Sequence, residues 1–208
     1  QSALNLIATI PDTDAVYGAA AAAWRAKVAG AASYTGADNV TLAAGAGSVA
    51  QVFTLTAGQD MLTGSAGNDT FNAPVVATSD GTLKDSLLSV DQLTGGDGND
   101  TLNVTLNGGA VVVPSLNSIE NVVLRITNAA SALDLTSSSG VTSLTVANST
   151  LAGGANVVGG VATLGVKNQN KAVSFDKSTA TTLALNLDTA GTSTNQIAVE
   201  LGATVASK

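Results

Sequence analysis

The chain has 208 residues, and 15 acidic against 8 basic ones give a net charge of −7. It holds no Cys and no His, which excludes disulfide staples, the usual zinc sites, His-based triads and cysteine nucleophiles. The acidic balance argues against nucleic acid, whose binding needs basic patches that displace phosphate counterions.

Gln1 to Ile10 offer neither an initiator Met nor a basic start, so they do not read as a secretory signal, and the chain is expected to be a fragment of something longer. Asp12 to about Gly30 reads as one helix. Asp12 or Thr13 can cap it, Asp14 suits the positive end of the helix dipole, and Ala19 to Ala23 are strong helix formers. Gly30 is a natural terminator. The apolar side (Val16, Ala20, Ala23 or Trp24, Val28) is modest, as expected of a helix packed on an upstream domain with Trp24 as an anchor. The run from Ala19 to Trp24 is too short to span a membrane, so no insertion is expected. Ala31 to Gly47 reads as a linker with turns at Gly36–Asn39 and Gly45–Gly47.

Two stretches further on share one spacing. Gly95-Gly96-Asp97-Gly98-Asn99-Asp100-Thr101-Leu102-Asn103 fits the nonapeptide G-G-x-G-x-D-x-U-x, where U is a large apolar residue. Nine residues before Asp100 stands Asp91, followed by Leu93. The earlier copy, Gly64-Ser65-Ala66-Gly67-Asn68-Asp69-Thr70-Phe71-Asn72, is likewise preceded by Asp60 and Leu62. This is the repeat of a calcium-binding parallel β-helix. Calcium takes roughly six to eight oxygens, which tight turns supply as carbonyls and carboxylates. Glycine at the first, second and fourth places permits positive φ, Asp completes the shell, and the apolar residue starts a strand that faces the core. Asp100 is the best-formed candidate ligand, then Asp69, with Asp91 and Asp60 behind because most of their glycines are missing. One coil of such a helix is about eighteen residues. Asp69 and Asp91 are 22 apart, so the register breaks between them, and Pro74 with Asp80-Gly81 reads as an inserted turn.

Charge follows the motif. Between Gly58 and Asn103 lie seven Asp and one Lys, a net of −6. Such a cluster repels itself without a counter-ion, so metal should stabilise folding there.

From Val52 onward the pattern is all strand. Short apolar runs recur at Phe53–Leu55, Leu102–Leu106, Val111–Val113, Val122–Ile126, Leu133–Leu135, Leu144–Val146, Leu164–Val166, Val173–Phe175, Leu183–Leu187 and Ile197–Leu201, with Val157-Val158 filling one wide gap. Ser137–Gly140, Gly153-Gly154, Gly159-Gly160, Asn168–Asn170 and Gly191–Asn195 read as turns between them. A sandwich would show stronger alternation and more than one Trp, two Tyr and three Phe. The expected fold is mainly β: a right-handed parallel β-helix preceded by a short α-helical segment. Its expected parts are residues 1–47, helix and linker; 48–108, calcium-binding coils; and 109–208, a metal-poor continuation. Glu120 has no partner carboxylate at a spacing suited to acid/base work and reads as structural, pairing with Arg125 across a turn. Both tyrosines lie in the helix and linker, so no enzyme is expected.

The stretch from Phe53 to Phe71 resembles the "FTLTxGxDxLTGTxxNDTF" segment of RTX-type surface-layer proteins of Gram-negative bacteria. In that family a "D-x-L-x-G-G-x-G-x-D-x-L" run follows, as at Asp91 to Leu102, then an "I-E-x-x-x-V/I" step similar to Ile119–Val123 and "GVTxLT" coils similar to Gly140–Thr145. RTX adhesins share much of this pattern. The resemblance covers roughly residues 53 to 146. It implies type I secretion, folding on calcium outside the cell and self-association into a surface lattice, with cell-surface polysaccharide met through regions outside this chain. It also implies Asp60, Asp69, Asp91 and Asp100 as ligands, with carbonyls from Gly64, Ala66, Gly95 and Asp97. A binding module, an adhesin that holds a carbohydrate or protein, is the alternative implied.

Overall fold

The recurring apolar runs become the rungs of a parallel β-solenoid of about six turns in the computed structural model. The structure describes residues 17, 20–23, 49–156, 161–176, 182–192 and 196–201. The chain divides into two units, Gln1–Gly47 and Ser48–Lys208. In the first, Ala20–Ala23 are helical, and the Ala21 amide donates to the Tyr17 carbonyl at 2.9 Å. The rest of the expected helix, Trp24 and the linker lie outside the described residues. No described helix is long and apolar enough to cross a membrane.

In the second unit the first coil holds β1 (Val52–Thr54) and β2 (Met61–Thr63). The second holds β3 (Thr70–Ala73), an inserted pair β4 (Val75–Ala77) and β5 (Leu83–Asp85), and β6 (Gln92–Thr94). Next come β7 (Thr101–Leu106), β8 (Val111–Val112) and β9 (Ser115–Asn117), then β10 (Asn121–Ile126) and β11 (Ala132–Asp134). The last coils hold β12 (Ser143–Ala147) and β13 (Gly153–Asn156), β14 (Thr163–Gln169) and β15 (Val173–Asp176), and finally β16 (Ala184–Ala190) and β17 (Val199–Leu201). A long sheet runs β1-β3-β7-β10-β12-β14-β16, a second β8-β11-β13-β15-β17 and a third β2-β6-β9. Every pairing in these three sheets is parallel.

Parallel register stacks like on like. Phe53, Phe71, Leu102, Val122, Leu144, Leu164 and Leu185 form one column inside the long sheet. Val112, Leu133, Ala155, Phe175 and Leu201 form a column inside the second sheet, and Leu62, Leu93 and Leu116 one inside the third. Phe71, Leu102, Leu144 and Leu164 are fully buried. Burying each such side chain stabilises by about 1.5–3 kcal/mol. Phe53 stacks on Phe71 with ring centres 4.8 Å apart. The columns end unevenly: Leu185 and Leu187 keep inward register positions but are 40% and 57% exposed, because no further coil covers them among the described residues.

Three expectations need correction. Along the long sheet the eighteen-residue coil holds only once, between Val52 and Thr70; the next step is 31 residues, and later ones are 20 to 22. The longer step contains more than a turn, since β4 and β5 pair antiparallel around Thr78–Gly81. Gly153-Gly154 is not a turn but opens β13, where a Cβ on Gly153 would press against the Ile126 side chain. Val157-Val158 and Gly159-Gly160 lie outside the described residues.

Candidate metal centre

The two glycine motifs fold into loops that stack directly on one another. Gly64 donates its amide to Thr94 O at 2.8 Å, and Gly95 donates to Asn117 O at 2.9 Å. Asn99 donates its amide to Asn68 Oδ1 at 2.9 Å, and Asn121 Nδ2 donates to Asn99 Oδ1, which ties three loops in file. The glycines serve two different needs. Gly96 and Gly98 have φ of 110° and 118°, a region that side-chain-bearing residues avoid, and a Cβ on either would also stand closer than 3.0 Å to Ser65 O or Gly67 O of the coil before. Gly64 and Gly95 do not use positive φ, contrary to expectation for the first place. They are glycine for lack of room: a Cβ on Gly95 would stand closer than 3.0 Å to both Ser118 O and Asp100 Oδ2, and one on Gly64 equally close to Gly95 O and Asp69 Oδ2.

The four predicted aspartates fall into two files. Asp69 and Asp100 end the loops before the long sheet; Asp60 and Asp91 end those before the third sheet. In each file a carboxylate accepts the amide N–H of the acidic residue one coil earlier. Asp69 donates its amide to Asp100 Oδ1 at 2.7 Å, and Asp60 donates to Asp91 Oδ1 at 2.9 Å. The first file extends at both ends, since Gln51 N–H donates to Asp69 Oδ1 at 2.5 Å and Asp100 N–H to Glu120 Oε2 at 2.8 Å. Sequence reading missed this place for Glu120. Its expected pairing with Arg125 is not made, and Arg125 Nε donates instead to Asn148 O at 3.1 Å. The sequence signal was faint: Glu120 follows Asp100 by about one later coil length, but no glycine marks its loop.

Partners then separate the four. Asp60 is satisfied by the Thr56 amide and hydroxyl, at 2.8 and 3.1 Å. Asp69 has the Ser65 amide at 2.5 Å and its hydroxyl at 3.1 Å, besides Gln51. Asp91 Oδ2 accepts the Leu88 amide at 2.8 Å. Asp100 differs because Gly96 stands where Ser65 stands one coil earlier: it has no hydroxyl, and its φ of 110° turns the local backbone. Asp100 Oδ2 is left as a buried side-chain oxygen without a hydrogen bond, alone in this among the described residues. Asp100 itself is 0% exposed.

The electrostatics follow. Burial raises the pKa of Asp100, and the charges of Asp69 and Glu120 add to that rise while the Asp69 amide opposes it. Burial likewise raises Asp91, against the amides of Asp60 and Leu88. For Asp69 burial is outweighed by the Ser65 and Gln51 amides and the Ser65 hydroxyl, and its pKa is lowered. A buried carboxylate oxygen with no donor calls for a proton or a cation. Among the described residues no three acidic side chains converge as a ready metal cluster, so main-chain carbonyls would have to supply most of the shell. Gly95 O and Ser118 O face the glycines of the loops before them, whereas Ala66 and Asp97 sit exposed at the loop tips. The residues at Asp100 fit a hard cation; Asp60, Asp69 and Asp91 are already served by protein donors.

A separate groove of about 550 Å³ lies where β12, β14 and β16 end. Asn148, Thr150, Asn168, Lys171 and Thr189 are among its lining, and Asn148, Asn168 and Thr189 stack with φ of 54°, 47° and 56°.

Comparisons of the chain with protein-family models, with curated proteins and with solved structures returned no match.

Proposed function

We propose that the chain is a calcium-stabilised β-helical segment of a secreted bacterial surface-layer protein that self-assembles on the cell surface. The observation that carries the calcium part is the unpartnered Oδ2 of Asp100, buried in an acidic file at the better of two nonapeptide loops. The surface-layer part rests on the sequence resemblance over residues 53 to 146 and on the suitability of a rod of parallel coils for tiling. Bound calcium would supply the positive charge that the file lacks. Asp100 would hold it by Oδ2, and the stacked loops would offer carbonyls. The reading assigns no catalytic role. It places the chain outside the cell, exported by type I secretion, where free calcium is plentiful.

Far-UV circular dichroism and a thermal melt, first in millimolar calcium and then in chelator, test this. A calcium-dependent rise in melting temperature is expected, with affinity on the order of 10⁻⁴ to 10⁻³ M. Electron microscopy of the calcium-loaded protein should then show ordered sheets. An identical melt in chelator would end the calcium reading, and a persistent monomer in calcium would end the lattice reading. The second reading, an adhesin module, draws on the amide- and hydroxyl-lined groove at Asn148 and Asn168. Retention of a saccharide by a stable monomer would favour it.

A further inference from the structure

The nonapeptide pattern stops at Asn103, but the acidic file continues one coil further. We infer that the cation site at Asp100 is completed from that next coil by Glu120 and the Ser118 carbonyl, so that Glu120 is a metal ligand in a loop with no glycine motif. The inference rests on the calcium reading above and names the residues that finish its site.

Three features carry it. Asp100 Oδ2 is fully buried and has no donor, so the protein alone leaves it unsatisfied. Ser118 O and Asp100 Oδ2 converge on the same side of Gly95, since a Cβ there would stand closer than 3.0 Å to both. Ser118 itself has a φ of 50°, a sharp bend for a residue with a side chain. Finally, the 2.8 Å bond from the Asp100 amide to Glu120 Oε2 holds the half-buried Glu120 carboxylate beside Asp100. Two carboxylates and a carbonyl, from successive coils, are oxygen donors of the kind a hard divalent cation takes, and further loop carbonyls and water would fill the rest of its shell. The file ends there: the next coil places Thr142 at this level, and its amide and hydroxyl donate to the Glu120 carbonyl instead. Asp100 and Glu120 repel each other without a cation and are neutralised together by one.

The test uses the full chain with calcium alone as the probe, by titration calorimetry and by melts in calcium and in chelator. Glu120→Gln keeps an acceptor for the Asp100 amide but removes the charge. It should weaken calcium binding by roughly tenfold or more. In chelator the same variant should melt at or above the parent, because a like charge beside Asp100 is gone. Glu120→Asp, which keeps the charge on a shorter stem, should recover part of the affinity. If Glu120→Gln binds calcium like the parent while Asp100→Asn does not, the Glu120 assignment falls and the calcium reading stands. If it lowers the melt equally in chelator and calcium, Glu120 is only a structural acceptor and the inference is overturned. If Asp100→Asn and Asp69→Asn both bind like the parent, the inference falls together with the calcium reading.

Discussion

At the scale of single residues, Gly95 and Gly81 show why glycine is not one instruction. Gly81 has a φ of 80° with nothing within 4 Å of an added Cβ, so Gly81→Ala should cost only the local strain, about 1 kcal/mol. Gly95→Ala forces a Cβ against a backbone oxygen and should cost about 3 kcal/mol or more in urea denaturation. Equal midpoints for the two would contradict the close stacking of the loops. Asp80 offers a test by pH. It accepts from Thr78 Oγ1 at 2.5 Å and from the Thr82 amide at 3.0 Å, and these bonds lower its pKa to about 2. A lowered pKa means that the contribution is complete above the ordinary value of 3.8 and is lost as pH falls toward about 2. The Thr82 amide signal in NMR should therefore stay constant from neutral pH down to that ordinary value and move only below it. The motif singled out Asp100 in the sequence, and in the fold it is the aspartate whose Oδ2 is left without a donor. What it could not convey is that Ser65 and Thr56, both at the second place that the pattern gives to glycine, would satisfy Asp69 and Asp60 with their own hydroxyls.

Among elements, strand positions were readable where Leu and Val cluster and were lost where side chains shrink. β7, β10, β12 and β14 fall on the apolar runs because parallel stacking buries the same column in every coil. β13 was hidden because Gly153-Gly154 ordinarily marks a turn, and only the neighbouring coil reveals that Ile126 fills the space. β9 was hidden because Ser115–Asn117 carries a single apolar residue, Leu116. The β4–β5 insertion was sensed as a broken register, yet its anchoring was not. Asp85, at the end of β5, is buried and accepts the amides of Asn107 at 2.6 Å and Gly108 at 3.0 Å from the following coil. Asp85→Ala should cost about 2 kcal/mol, since charged acceptors of buried amides contribute at that level. A loss within error of zero would show that the insertion hangs free of the coils.

For the whole solenoid, each coil touches mainly its neighbours, so stability passes along the rod from rung to rung. Equivalent side chains should then matter according to their neighbours. Leu164→Ala, in the buried middle of its column, should cost about 3 kcal/mol. Leu185→Ala, one rung later in the same column and 40% exposed, should cost roughly 1 kcal/mol because less burial is lost. Similar costs for both would mean that the last rung is covered in solution. Under the calcium reading, added calcium should slow amide exchange most in the coils around Asp69 and Asp100 and least near β16 and β17. The fold class was legible because parallel register repeats one requirement in every coil. Coil length was not, because the bends between strands absorb extra residues without disturbing the columns.

The grip of Asp85 on the next coil also bears on chemical ageing. Asn107-Gly108 is the single Asn–Gly step in the chain, the pairing most prone to deamidate. That reaction needs the Gly108 amide nitrogen to turn and attack the Asn107 side-chain carbonyl. Both oxygens of Asp85 hold that amide at 3.0 Å, and Thr127 Oγ1 donates to Asn107 Oδ1 at 3.0 Å. The folded chain should therefore keep Asn107 intact through long incubation, and peptide mapping should find it converted much faster once Asp85 is replaced by Ala. One carboxylate thus both fastens the insertion to the next coil and shields a labile peptide step.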